Sequence, residues 1–127
     1  QHQDGHSHLF AQTIPNCKSY DPCFAYEVAT IIQEGIDDMY VKNNDNYYYI
    51  TLMNENYIQP SRPKSATNHA IISGAYKFLE QKKPHIRLLA SGVTLRFALE
   101  ASDVLKKLNI DAEVWSVTSF NELAPIC

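Results

Sequence analysis

The chain has 127 residues, 45% hydrophobic and 20% charged, with a formal net charge of −3 from 11 basic and 14 acidic side chains. That is the profile of a globular chain, and no basic cluster exceeds "QKKPHIR" or "LKKL", so the electrostatic footprint of a nucleic-acid binder is missing. No apolar run is long enough to cross a bilayer. The three cysteines, Cys17, Cys23 and Cys127, lack CxxC spacing, which argues against a disulfide framework or zinc ribbon and for a reducing, cytoplasmic setting. Each is read as a small buried hydrophobe.

The opening stretch QHQDGHSHLF sets His2, His6 and His8 around Asp4-Gly5, a pair that favours a turn. Three readings stand open. His2 and His6, four apart, would share a metal with His8 or Asp4 as a third ligand. The segment would instead be a solvated terminus. Or the imidazoles would donate hydrogen bonds to negative charge developing in a transition state, a role that suits a side chain titrating near neutrality. Spacing alone does not choose.

"TIPNCKSYDP" reads as a short extended stretch, with Asp21 as an N-cap and Pro22 at the first helical position. The helix that follows, residues 22–40, places Phe24, Val28, Ile31, Ile32, Ile36, Met39 and Tyr40 on one apolar face. Gly35 marks a close approach by another backbone. "NYYYITLM" is dense in aromatic and β-branched residues and reads as a buried strand. "NENYIQPSRPK" is an irregular segment at its end. There Asn54–Tyr57 is a turn, or else a polar cluster where α/β sheets gather ligands. A short helix from Ser65 or Thr67 runs into a strand near Tyr76–Leu79, and "PHIRLLASG" is a strand ending at Gly92. The turn Ser91-Gly92-Val93-Thr94 caps the next helix or holds an anion at its N–H groups. That helix buries Leu95, Leu99, Ser102 and Leu105, flanked by Ala98 and Leu108. "IDAEVWSVTSF" is the next strand, with Trp115 in the core, and "NELAPIC" starts another helix. Strand, helix, strand at this spacing is a βαβ unit, so the class is α/β with parallel pairing.

In one order, "QHQDGHSH", "TIPNCKSYDPCFAYEVATII", "YYYITLMNENY", "RLLASGVTLRFALEASDVL" and "VWSVTSFNELA" resemble the homodimeric, bacterial-type pyruvate dehydrogenase (acetyl-transferring) family, from Gln1 to about Ala124. Transketolases, which share the wider architecture and an Asp-Gly-x-x-His turn, are the near alternative. The resemblance implies a thiamine-diphosphate- and Mg²⁺-dependent enzyme that decarboxylates pyruvate and passes the two-carbon unit to a lipoyl group on the dihydrolipoyl acetyltransferase component. It implies that residues 1–57 end a pyrimidine-binding domain, 58–65 link, and 66–127 open a transketolase-type C-terminal domain. It makes His2 the active-centre histidine facing the pyruvate-derived atoms and His8 the histidine of the Asp-Gly-x-x-His turn, with Asp4 and Gly5 aiming both. The family's activating glutamate and its Gly-Asp-Gly…Asn cofactor motif do not occur in the chain. The chain is therefore expected to be a fragment, inactive by itself and prone to self-association. The remaining alternative is a small module that binds a metal or a partner through its histidines or the NENY segment.

Overall fold

The computed structural model describes residues 5–124. A short helix α1 (Ser7–Gln12) leads into β1 (Cys17–Tyr20), then α2 (Ala25–Ile36), and β2 (Tyr47–Ile50). β1 and β2 pair in parallel, Cys17 opposite Tyr47 and Tyr20 opposite Ile50, so this part is a small βαβ unit. The sequence reading found the helix and the second strand; α1 goes beyond it, and β1 is the stretch read only as extended.

The second part runs α3 (Asn68–Ile72), β3 (Ala75–Leu79), β4 (Ile86–Ala90), α4 (Thr94–Lys107), β5 (Ala112–Val117) and α5 (Phe120–Leu123). β4-α4-β5 is the anticipated parallel crossover unit, Leu88 opposite Val114. β3 joins the other side of β5 antiparallel, so the pairing is mixed rather than wholly parallel.

Each helix is set by local chemistry. α2 does not start at Pro22 under an Asp21 cap. The backbone stays extended through Phe24, and the Glu27 carboxylate reaches back to accept from the N–H groups of Cys23 (2.6 Å) and Phe24 (2.7 Å). At its end α2 widens into a π-helical turn, Asp37–Val41, which rotates Asp38 inward. There Asp38 accepts from Asn44 (2.7 Å), Asn46 (2.9 Å) and the Tyr48 hydroxyl (3.0 Å), closing the loop back to β2. Thr67 caps α3 by accepting from Ala70 N–H at 3.1 Å.

The apolar face expected of the helix over residues 22–40 is buried only in part: Phe24 and Ile31 are inside and Val28 and Met39 half-buried. Glu27, Thr30, Ile31, Gly35 and Asp38 turn inward, whereas Ile32, Ile36 and Tyr40 are 48%, 52% and 75% exposed. What approaches Gly35 is the ring of Tyr48, 3.3 Å from where a Cβ would stand, rather than a backbone. β2 is half-exposed, not buried, with Tyr47 and Tyr49 facing outward. On α4, Leu95 and Ser102 are buried and Leu99 and Leu105 half-buried as anticipated, while Leu108 is exposed. Trp115 is half-buried on the outer side of β5, its indole N–H donating to Glu113 (2.8 Å).

The two parts share their cores. One cluster joins Tyr20 and Ile31 to Ala66, Ile71 and Tyr76; a second joins Cys23 and Phe24 to Ala90, Leu95 and Val114. Burying the larger aliphatic and phenyl side chains among them contributes about 1.5–3 kcal/mol each, and both clusters draw on residues from both parts. Glu27 ties them further, because Tyr76 (2.7 Å) and Ser116 (2.6 Å) donate to its second oxygen. The Tyr76 proton being committed there, Tyr26 donates to Tyr76 at 2.5 Å. Burial, and after it the Glu27 charge, push the Tyr76 hydroxyl well above the usual phenol range.

Candidate active site at the junction of the two sheets

Parallel strands collect polar side chains at their carboxyl ends. Here β1 ends in Tyr20 and leads to Asp21, β2 leads to Thr51, and β4 leads to Ser91. The three side chains meet. Thr51 Oγ1 donates to Asp21 Oδ1 at 2.6 Å, and Ser91 Oγ donates to Asp21 Oδ2 at 3.0 Å. The Asp21 backbone is held across the same seam: its N–H donates to Thr118 O (2.7 Å) and its carbonyl accepts from Gly92 N–H (2.9 Å). Gly92 adopts φ +51°, and a Cβ there would stand 2.5 Å from Asp21 Oδ1. A glycine is required both by the backbone and by the carboxylate packed against it.

His8, in the first turn of α1, reaches this cluster. Its Nε2 lies 3.0 Å from Thr51 Oγ1, and its ring meets Tyr49 edge-on at 5.6 Å. Asn121 of α5 donates to the His8 carbonyl (3.0 Å) and to Ser19 Oγ (2.5 Å), fixing the helix that carries the imidazole. His8, Asp21, Tyr49, Thr51, Ser91 and Thr94 line one open cleft of about 660 Å³. A smaller hollow of about 190 Å³ continues from His8 past Ser119 and Asn121. The cleft combines an imidazole with hydroxyls and a carboxylate, which suits a polar substrate whose charge changes during reaction.

Of the anticipated catalytic residues, His8 is thus in a cleft, and His2 lies outside the described residues, as does Asp4. Cys127, read as buried, is likewise outside them; Cys23 is buried and Cys17 half-buried. His6 does not share a site with His8: its ring faces Phe10 at 6.3 Å. Among the described residues no group of three His, Cys, Asp or Glu is placed to hold a metal ion. The NENY segment packs through Tyr57 and Glu55. Tyr57 donates to the Cys23 carbonyl, Arg96 stacks over its ring at 4.5 Å, and Glu55 pairs with Arg96 at 3.2 Å. At the Ser91–Thr94 turn it is a carboxylate of the same chain, Asp21, that accepts from Ser91, not an outside anion at the N–H groups.

The sequence does not mark Asp21 or Thr51 as site residues, and it marks Ser91 only within a candidate anion-binding turn. The available signal was position, since all three follow directly on strands that pair in parallel.

Comparisons with known proteins agree with this layout. Residues 1–60 match the pyruvate dehydrogenase E1 component middle domain, and residues 74–125 match the transketolase-like C-terminal domain. The chain is 54% identical over 97% of its length to the pyruvate dehydrogenase E1 component of Pseudomonas aeruginosa, and 49% identical over 98% to that of Escherichia coli K12. In each case it spans 14% of the relative's length. Among solved structures, transketolase from Campylobacter jejuni superposes with a TM-score of 0.77 at 23% identity, covering 95% of this chain and 18% of that one. Transketolase from Pichia stipitis, in complex with a sugar phosphate, gives 0.77 at 19% identity over 99% of this chain and 18% of that one. At these identities the structural likeness speaks for the fold alone. Sequence and fold together make the chain similar to the stretch of the pyruvate dehydrogenase E1 component that joins its middle domain to a transketolase-like C-terminal domain.

Proposed function

We propose that this chain is the histidine-bearing part of a thiamine-diphosphate-dependent component that decarboxylates pyruvate and passes the two-carbon unit to a lipoyl group of an acetyltransferase partner. The observation that carries the proposal is the 54% identity to a pyruvate dehydrogenase E1 component across nearly the whole chain. The His8 cleft supports it, because it offers a fixed imidazole with polar neighbours at the carboxyl ends of the strands.

The described residues do not fit the Mg²⁺ that accompanies the cofactor's diphosphate, since none of their acidic, cysteine or histidine side chains form a ligand set. The part proposed for this chain is confined to its own histidines. His2 donates a hydrogen bond to an oxygen that gains negative charge, and His8 turns its second ring nitrogen toward the same centre. By itself the 127-residue chain turns over no pyruvate. Dimerisation with a second copy and a cytoplasmic setting belong to the same proposal.

The test is a graft. The matching stretch of the Pseudomonas aeruginosa relative is replaced by this chain, and carbon dioxide release from pyruvate and acetylation of a lipoyl domain are measured. Turnover within about tenfold of the parent is expected. A folded, cofactor-loaded graft that releases no carbon dioxide overturns the proposal.

A further inference from the structure

The Asp21 cluster has a direction, because a threonine hydroxyl has one proton to give. Thr51 Oγ1 lies 2.6 Å from Asp21 Oδ1, 3.0 Å from His8 Nε2 and 3.4 Å from the Tyr20 carbonyl. The short bond to a carboxylate is the stronger, so the proton goes to Asp21. Thr51 Oγ1 can then only accept from His8, and His8 Nε2 must carry a hydrogen. The neutral ring is thereby held with its lone pair on Nδ1.

Asp21 is itself immobilised from the second part of the chain. Ser91 donates to its other oxygen, Gly92 N–H holds its carbonyl, and the missing Cβ of Gly92 leaves the space its carboxylate fills. We propose that Asp21 is a positioning residue that, through Thr51, fixes His8 as the Nε2–H tautomer, and that the β4–α4 turn takes part in the site by holding Asp21. This rests on the reading of His8 as a site residue, but the relay itself is a property of the folded chain.

The test is nitrogen-15 NMR of the histidine ring in the 127-residue protein, at a pH where the ring is neutral. This readout requires neither cofactor nor turnover. Native protein is expected to show a pyrrole-like Nε2 and a pyridine-like Nδ1. In Asp21→Ala the Thr51 proton is released toward His8, and the two nitrogen shifts move toward each other as the Nδ1–H form appears. Ser91→Ala removes a bond to Asp21 without touching that proton, so it loosens the junction but leaves the tautomer as in the native chain. Where Asp21→Ala does not fold, Thr51→Val and Thr51→Ser decide: serine retains the native pattern and valine loses it. A native Nδ1–H ring, or a folded Asp21→Ala with unchanged shifts, overturns the proposal. So does an equal change in Ser91→Ala, and so do equal patterns in Thr51→Val and Thr51→Ser. An inactive graft with the relay intact would fault the decarboxylase reading and leave the positioning standing.

Discussion

Replacing Glu27 tests how firmly one buried carboxylate joins the two parts. Its side chain is fully buried and accepts four hydrogen bonds: from the N–H groups of Cys23 and Phe24, and from the hydroxyls of Tyr76 and Ser116. Glu27→Ala strands both amides, which cannot turn away. An unpartnered buried donor costs about 1–3 kcal/mol. The hydroxyls rotate and lose less, so a total near 4 kcal/mol is the expectation, or a melting temperature lower by about 15 °C at about 4 °C per kcal/mol. Glu27→Gln keeps a carbonyl oxygen for the two amides and turns its NH₂ toward the hydroxyls, which accept instead. It loses only charge assistance, about 2 kcal/mol. Thermal melts and urea titrations with a common slope measure both. A Glu27→Ala chain within about 1 kcal/mol of native, or a glutamine variant no better than alanine, would refute the reasoning.

Ile31 and Ile32 are adjacent but face opposite ways, so Ile31→Ala should cost about 2–5 kcal/mol and Ile32→Ala less than about 1, by urea denaturation. Cys23 is buried, and that burial, with the Glu27 charge next, pushes its thiol up to about 12, so folded protein should leave it unmodified by thiol reagents at neutral pH. Its protonated form is favoured only in the folded state. The stabilisation is therefore complete below the ordinary value of 9.0 and is lost as pH rises toward 12, which alkaline denaturation in native and Cys23→Ala chains would reveal. Asp38 behaves oppositely. The Asn44 amide, then Asn46, Tyr48 and Lys18, outweigh burial and hold its carboxyl at about 2. Its contribution is present above the ordinary 3.8 and is lost as pH falls toward 2, a loss that Asp38→Asn should abolish in acid melts.

The sequence made the β4-α4-β5 unit legible because its signals agree: an apolar stripe at helical spacing, a glycine turn and two short apolar runs of strand length. α2 shows where such signals part. Of its apolar face Phe24 and Ile31 are buried but Ile32, Ile36 and Tyr40 stay exposed, while Glu27 and Asp38 go inside. A hydropathy pattern cannot anticipate that, because a buried carboxylate depends on its donors, and those of Glu27 include hydroxyls from β3 and β5, about 50 and 90 residues further on. Asp21 failed as a cap for a related reason: its partners, Thr51 and Ser91, are assembled only by the fold. The bond from His8 to Thr51 is not legible either, since nothing local in HSHLF points 43 residues ahead.

The most direct test of the central claim is pyruvate decarboxylation by the grafted enzyme with His8 intact and with His8→Ala. Removal of a positioned acid–base group costs about 10²-fold or more in kcat, and the account predicts a loss of that size with the melting temperature within a few degrees of the parent graft. An alanine variant that decarboxylates pyruvate at the unsubstituted rate would contradict it.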